Sequence, residues 1–198
     1  MPGSHSAAMP HTSSLASPSP GVVCLHADAS TSSQWRALTN RLAHDYRVFA
    51  PDTLGAGQGP AWPADGAVAL RDEVALLEPV LEAAGTPHFL VGHSYGAAIA
   101  LMAALARPQR TRALAVYEPT LFALLGEPTP LQAFEALDMP VLYMLGAQSP
   151  ESSRAAARVL TQTLRNVSVI EFAELGHMGS VTHAELVNDA ITQFLACH

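Results

Sequence analysis

The chain alternates short apolar runs with longer segments in which apolar residues recur at helical spacing. Strand-like runs lie at 22–25, 46–50, 89–91, 112–117, 140–145 and 167–172. Between and after them the pattern predicts helices over 34–44, 70–84, 97–107, 151–164 and 183–195. Strands that alternate with helices are typical of a parallel sheet with right-handed crossovers. We therefore predict an α/β fold: a doubly wound, mostly parallel sheet of about six strands with helices on both faces.

The first twenty residues differ in composition from the rest. They are rich in Ser, Pro, Ala and His and lack the apolar core of a secretory signal. We expect residues 1–20 to be a disordered leader or a vector-derived tail, and residues 21–198 to form one domain. Without a signal, the expected compartment is the cytoplasm. No apolar run approaches the roughly 20 residues of a membrane span.

Composition narrows the classes of partner. The formal charge is −7 with 14% charged residues, which argues against nucleic acid and anionic membranes, since both favour basic patches. Two cysteines are too few for a disulfide framework, and Cys24 lies in an apolar strand, as a buried thiol would. The nine histidines are scattered and lack ligand spacing with cysteines or carboxylates, so we expect no metal site. We also expect no cofactor.

One stretch carries candidate chemistry: Gly92-His93-Ser94-Tyr95-Gly96. It follows a predicted strand and precedes an alanine-rich predicted helix, which is the setting of a nucleophile elbow. Glycines on both sides permit a tight turn that exposes the serine, and the following helix points N–H groups at a developing oxyanion. Ser94 is therefore the candidate nucleophile.

With these pieces in view, the chain resembles the α/β-hydrolase family from about residue 21 to the C-terminus. The matching segments are His26-Ala27-Asp28, Trp35, Ala50-Pro51-Asp52 with Gly55 and Gly57, the 92–96 elbow and Gly176-His177-Met178-Gly179. Two departures stand out. Antiparallel strands usually precede the first of these segments, and a helical cap usually follows the strand that ends near Tyr117. Here only 118–138 separates that strand from the next, so the resemblance implies a small, essentially lidless member, similar in architecture to small bacterial lipases and cutinases.

The resemblance implies a serine, histidine and acid triad. His177, in a loop after the last strand, is the predicted base, whereas His26, His93 and His183 fit structural roles better. The acid usually follows the strand at 141–145, but Gly146-Ala147-Gln148-Ser149 occupies that place. Glu118, at the end of the neighbouring strand, is the predicted acid. Glu151 is the alternative, and Asp138 lies at the wrong end of its strand.

The same resemblance implies an oxyanion hole and an acyl pocket. The backbone N–H groups of Tyr95 and Asp28 are the expected oxyanion donors. A carboxylate facing the hole would oppose the developing charge, so we expect the Asp28 side chain to turn outward and bond the Ser30 or Thr31 amide. The candidate pocket residues are Trp35, Tyr95, Leu121 and Phe122.

Two functional hypotheses follow from these residues. The first is a serine hydrolase that cleaves carboxylic esters with short or exposed acyl groups through an acyl-enzyme, with lactones and cofactor-free perhydrolysis as variants on the same residues. The second is a catalytically impaired α/β-hydrolase-like binding protein or an engineered minimal scaffold, suggested by Ser149 and Asp28. The lack of the usual first strands also leaves an exposed sheet edge near the second strand, at 46–50, which predicts a homodimer through that edge.

Overall fold

The computed structural model describes residues 19–64, 66–120 and 131–198. Within them a six-stranded sheet runs in the order β2-β1-β3-β4-β5-β6, and every neighbouring pair is parallel. The strands are β1 (Gly21–Leu25), β2 (Arg47–Phe49), β3 (His88–His93), β4 (Thr111–Tyr117), β5 (Val141–Gly146) and β6 (Val167–Phe172). The predicted α/β architecture is confirmed, and the sheet is wholly rather than mostly parallel.

The helices cover both faces of this sheet. Among the described residues they are, in chain order, α1 (Arg36–Leu42), α2 (Leu70–Ala84), α3 (Tyr95–Ala106), α4 (Glu151–Thr163), α5 (Gly179–Thr182) and α6 (Ala184–Ala196). The same part of the chain also contains 3-10 turns at Ser32–Trp35, Pro108–Arg110 and Leu131–Ala136. None of the helices in the described ranges has the length and apolar character needed to cross a membrane.

Alternation along the strands divides the core into two clusters. On β1, Val23 and Leu25 belong to the cluster that packs under α2, α3 and α4, whereas Val22 and Cys24 belong to the cluster under α1 and α6. Successive strand side chains point to opposite faces, so a strand buried on both sides serves both clusters. The Cys24 thiol is fully buried, and this burial raises its pKa to about 12, which leaves it a packed, unreactive group.

The first predicted helix is divided in the structure. The chain runs through the 3-10 turn Ser32–Trp35 before the α-helix begins at Arg36. Thr31 starts this turn, since its hydroxyl accepts the Ser33 N–H and its carbonyl accepts the Gln34 N–H. The tighter i to i+3 bonding therefore comes from a local side-chain cap, which the apolar spacing does not register.

Candidate active site

Ser94 lies at the sharp turn between β3 and α3. Its backbone has φ 54° and ψ −116°, a conformation that L residues with side chains rarely adopt. The flanking glycines allow the close packing of this turn. A Cβ on Gly92 would lie 2.5 Å from the Ala97 Cα, and one on Gly96 would lie 2.4 Å from the His26 carbonyl oxygen. The geometry is that of a nucleophile elbow with the serine at its apex.

His177 reaches the serine from the loop between β6 and α5. Its Nε2 lies 2.9 Å from the Ser94 Oγ. Two contacts hold this loop: the Tyr117 hydroxyl donates to the Gly176 carbonyl at 2.8 Å, and the His93 ring bonds the His177 carbonyl at 2.8 Å. The hydroxyl and the imidazole are therefore within proton-transfer distance without any movement of the chain.

Glu118 completes the alignment from the end of β4. Its Oε2 accepts a hydrogen bond from the His177 Nδ1 at 2.7 Å, and its Oε1 accepts from the Gly146 N–H at 2.8 Å and from the Ser149 hydroxyl. The side chain is buried. Burial by itself raises the pKa of this carboxyl, but the hydrogen bonds from His177, Gly146 and Ser149 outweigh burial and hold the pKa below its ordinary value. Glu118 is thus an ionised, fully bonded carboxylate behind the imidazole.

The backbone of Glu118 is unusual as well. Its φ of 44° lies in the left-handed region, where residues with side chains are rare. Hydrogen bonds to neighbouring elements hold this conformation. The Glu118 N–H donates to the Met144 carbonyl on β5, and the Thr120 N–H donates to the Ser94 carbonyl. The bend after β4 therefore directs the carboxylate to the imidazole instead of letting it follow the strand outward.

The alternative acids lie elsewhere. The Glu151 side chain is 72% exposed at the start of α4 and pairs with Arg158, whose hydrogen bond and charge lower the pKa of this carboxyl. Asp138 precedes β5, where its carbonyl accepts from Asn166. Of the three carboxylates weighed from the sequence, the structure brings only Glu118 to the imidazole.

The residues of the two expected oxyanion donors line the same cavity as the serine. Tyr95 is the first residue of α3, and Asp28 follows β1 in the loop that faces it. Asp28 is exposed. The Ser30 N–H, one of the two amides expected to bond its side chain, donates instead to the Ala27 carbonyl at 3.0 Å. The loop therefore closes through its own backbone, and Asp28 is one of the residues that border the cavity above the serine.

A cavity of about 660 Å³ opens over the serine. Its described walls are Asp28, Trp62, Val68, Ser94, Tyr95, Glu118, Pro119, Thr120, Pro150, Ser152, Ser153, Ala156 and His177. The volume is in the ordinary range for small-molecule sites. Two hydroxyls among these walls lie near the reactive groups: that of Thr120 is close to the Ser94 Oγ, and that of Ser153 lies 3.5 Å from the His177 Nδ1.

The predicted pocket residues divide into three groups. Tyr95 lines the cavity. Trp35 does not line the cavity. It is buried with Leu38 and Leu42, because its turn packs against the face of the sheet that α1 and α6 cover. Leu121 and Phe122 lie outside the described residues.

The sequence analysis missed the roles of three site residues. Ser149 bonds the carboxylate from the place where an acid was expected, and the Thr120 hydroxyl lies 3.2 Å from the Ser94 Oγ. The indole of Trp62 is 48% exposed on the cavity wall. A lone tryptophan in a Gly- and Pro-rich loop is a weak signal, and neither hydroxyl residue belongs to a motif.

The remaining histidines near the site bond to the protein itself. His26 donates from Nδ1 to the Ala27 carbonyl at 2.7 Å and accepts the Thr53 N–H at Nε2, 3.2 Å away. His183 is exposed and bonds the neighbouring Thr182 hydroxyl. Within the part of the chain that the structure describes, no group of three or more His, Cys, Asp or Glu side chains is arranged to hold a metal ion.

Curated relatives match part of the chain. It is 37% identical over 86 residues to "Lipase LipV" of Mycobacterium tuberculosis strain H37Rv, covering 41% of this chain and 32% of that protein. It is also 37% identical over 101 residues to an "Epoxide hydrolase" of Caballeronia sordidicola, covering 48% of this chain and 30% of that protein. The matches thus span about a third of each relative's length.

Solved structures match nearly the whole chain. A 2-hydroxy-6-oxo-6-phenylhexa-2,4-dienoate hydrolase from Rhodococcus sp. strain RHA1 aligns with a TM-score of 0.74 at 17% identity, covering 90% of this chain and 91% of that one. An α/β hydrolase from a Medee basin deep-sea metagenome aligns with a TM-score of 0.80 at 14% identity, covering 93% and 92%. At these identities the likeness shows the fold alone. The family model for the alpha/beta hydrolase fold matches residues 20–134, more than half of the chain. The chain belongs to the alpha/beta hydrolase fold family.

Proposed function

We propose that this protein is a serine hydrolase that cleaves carboxylic esters through an acyl-enzyme intermediate. The observation that carries the proposal is the unbroken alignment of three groups. The Ser94 Oγ lies 2.9 Å from the His177 Nε2, and the His177 Nδ1 lies 2.7 Å from the Glu118 Oε2. A hydroxyl is a weak nucleophile at neutral pH, and an adjacent imidazole held by a carboxylate is the arrangement that activates it.

In the first half of the reaction, the Ser94 Oγ attacks the acyl carbon while its proton passes to the His177 Nε2. Glu118 keeps the other ring proton on Nδ1 and stabilises the imidazolium. The Tyr95 and Asp28 amides are the proposed donors to the oxyanion. Collapse of the tetrahedral intermediate breaks the ester bond, and His177 protonates the departing alcohol.

In the second half, water replaces the alcohol. His177 takes a proton from the water, whose oxygen attacks the acyl carbon, and the carboxylic acid leaves as the proton returns to the Ser94 Oγ. The cavity of about 660 Å³ is open to solvent, which supports short or exposed acyl groups as the substrates. Lactones and perhydrolysis place the same demands on these residues and are variants of this proposal.

The relatives support the hydrolase class and differ in the reaction they name. One is named a lipase and the other an epoxide hydrolase. Epoxide hydrolases and dehalogenases of this fold use an aspartate nucleophile, whereas the elbow here carries Ser94. The serine therefore favours acyl transfer over epoxide opening.

A catalytically impaired binding protein is the second candidate. The observation that favours it is that Asp28, a residue of the cavity wall, carries a carboxylate on the same residue as a proposed oxyanion donor, and a negative charge near the substrate oxygen opposes the charge that develops there. The fully bonded state of Glu118 and the short Ser94–His177 distance favour the enzyme.

The test is pre-steady-state hydrolysis of p-nitrophenyl butyrate. We expect a burst of about one nitrophenolate per chain, and a loss of roughly 10⁴-fold or more in turnover for Ser94→Ala. Ser168→Ala, which removes an exposed hydroxyl on β6, is the matched control and should turn over like the wild type. A fluorophosphonate probe should label the peptide that contains Ser94. If Ser94→Ala and the wild type hydrolyse the ester at equal rates, the serine-hydrolase proposal is rejected and the binding protein becomes the favoured candidate.

A further inference from the structure

His93 is a buried histidine that the proposed reaction does not use. It precedes Ser94 in the elbow and its side chain has no exposure to solvent. Its Nε2 lies 2.8 Å from the carbonyl oxygen of His177, and the two rings are 5.3 Å apart. On its other side the ring meets the Tyr117 ring edge to face at 5.5 Å. The ring is thus tied to the backbone of the proposed catalytic base, not to its imidazole.

Gln34 continues this contact to the loop after β1. Its Nε2 lies 3.1 Å from the His93 Nδ1, and its Oε1 accepts the Ala27 N–H at 3.1 Å. Ala27 precedes Asp28, the proposed oxyanion donor. Three hydrogen bonds therefore join the oxyanion loop to the His177 loop through one glutamine and one imidazole.

The two ends of this chain of bonds determine its direction. The Ala27 N–H can only donate, so the Gln34 atom that faces it is the oxygen, and the Gln34 amide nitrogen donates to the His93 Nδ1. The His177 carbonyl can only accept, so the His93 Nε2 carries the ring proton. Each bond is satisfied in one arrangement only: a neutral His93 protonated on Nε2.

We propose that Gln34 and His93 are positioning residues that hold the oxyanion loop and the His177 loop at a set distance across the elbow. The proposal rests on the function proposed above. Neither residue lies among the described walls of the cavity, so neither is placed to contact substrate. Their effect is on the relative position of the Asp28 amide and the His177 imidazole, which must serve the same tetrahedral intermediate from two sides.

The surroundings of His93 keep it in the required neutral state. Burial, followed by the charge that His177 acquires, lowers the pKa of His93 to about 4, while the hydrogen bond to the His177 carbonyl and the nearby Glu118 carboxylate oppose this change. At neutral pH the ring therefore remains uncharged, with Nδ1 available to accept the bond from Gln34.

The kinetic test compares Gln34→Met, His93→Phe and the double variant with the wild type. Both single changes keep side-chain volume and remove the hydrogen bonds. We expect each to lower kcat by roughly 10- to 100-fold with KM within about twofold of the wild type. The double variant should be no slower than the slower single variant, because either change interrupts the same chain of bonds.

A control separates positioning from general destabilisation. Leu42→Ala empties a buried position on α1, in the cluster under α1 and α6, and should lower thermal stability with kcat unchanged. Should Gln34→Met keep the wild-type kcat, or lose kcat only in proportion to unfolded protein as Leu42→Ala does, the positioning role is overturned. Gln34 is only half-buried, so this variant tests the proposal even if His93→Phe does not fold.

A spectroscopic measurement tests the bonds without any activity. Long-range ¹H–¹⁵N correlation on the full-length protein at neutral pH should show His93 protonated on Nε2, and His26 protonated on Nδ1, since His26 donates from Nδ1 to the Ala27 carbonyl. An Nδ1–H tautomer of His93 would overturn the proposed chain of hydrogen bonds. If hydrolysis depends on Ser94 but Gln34→Met is fully active, the positioning role is overturned and the proposed function stands. If hydrolysis does not depend on Ser94, the proposed function is overturned as well.

Discussion

Ser149 stands where α/β-hydrolases usually carry the acid of the triad, and its hydroxyl donates to the Glu118 Oε1. The Gly146 N–H binds the same oxygen, so the loop after β5 supplies hydrogen-bond donors instead of a carboxylate. Hydrogen-bond donors at this position stabilise the Glu118 carboxylate at the end of β4, whereas a second carboxylate there would repel it. A hydroxyl at residue 149 and the proposed acid at residue 118 are therefore chemically complementary.

Glu118→Gln tests this assignment. The amide keeps the shape of the side chain but cannot stabilise an imidazolium, and it can favour the wrong His177 tautomer, so we expect kcat to fall by roughly 10³- to 10⁴-fold. Steady-state hydrolysis of p-nitrophenyl butyrate measures this. Glu151→Gln is the control and should leave the rate unchanged, because that side chain is exposed and pairs with Arg158. A larger loss of kcat in Glu151→Gln than in Glu118→Gln would show that Glu151, not Glu118, is the acid.

From the burial of His93 we predict that the free energy of unfolding depends on pH. Its pKa is about 4 in the folded protein and near its ordinary 6.5 when unfolded. As pH falls below 6.5 the unfolded chain takes up a proton that the folded chain does not, so the free energy of unfolding decreases between pH 6.5 and 4. From pH 7.5 to 4.5 we expect a loss of about 2 kcal/mol from this group in urea titrations.

A variant isolates the contribution of His93 from those of other groups. Burial also lowers the pKa of His88, so the wild-type slope contains more than one group. The difference in slope between wild type and His93→Gln assigns the part that belongs to His93. Parallel slopes for the two proteins would contradict a depressed pKa at this ring.

At the scale of elements, the elbow depends on how closely α3 approaches β1. A Cβ on Gly96 would lie 2.4 Å from the carbonyl oxygens of both His26 and Leu25, and backbone atoms cannot move aside as a flexible side chain can. The same approach brings the first turn of α3 next to the loop that carries Asp28. Packing between a helix and a strand thus sets the position of the proposed oxyanion donors.

Gly96→Ala should therefore destabilise the fold by about 3 kcal/mol, measured by urea unfolding at neutral pH. Gly176→Ala is the matched control. The nearest atom to a Cβ there is the Gln148 carbonyl oxygen at 3.6 Å, an ordinary contact, so its stability should change by less than about 1 kcal/mol. Equal stability of Gly96→Ala and wild type would show that α3 can shift away from β1.

At the scale of the whole molecule, the sheet has two unlike edges. β2 forms one edge with three residues, the edge that the sequence suggested for pairing with a second copy. β6 forms the other edge, where Val169 is 52% and Ile170 is 36% exposed. Exposed apolar side chains on an edge strand favour pairing between chains, which makes β6 the stronger candidate of the two.

We expect a concentration-dependent dimer in multi-angle light scattering. Val169→Lys should shift the protein toward monomer, because a charged side chain on an edge strand opposes pairing. Glu171→Gln, on the same strand, changes charge without adding a cation and serves as the control. A wild-type protein that is monomeric at every concentration would contradict the prediction.

Local information in the sequence was sufficient for the order and type of the main elements. The bounds of α2 and β6 match the predicted 70–84 and 167–172, since apolar periodicity and flanking Gly and Pro residues mark them within a few positions. The Gly92–Gly96 motif likewise located the tight turn, because the glycines it requires are adjacent to the serine. These features depend on neighbours along the chain, which the sequence shows directly.

Contacts between distant segments needed the tertiary structure. Trp35 is a large aromatic residue of the kind that often lines a pocket. It lies in the core because its turn packs against the face of the sheet that α1 and α6 cover. The Ser149 bond to Glu118 and the Gln34 bond to His93 join residues 31 and 59 positions apart and belong to no motif. Sequence alone determined which side chains carry reactive groups, whereas the folded sheet decided which of them meet, because parallel strands bring the ends of remote segments to one edge.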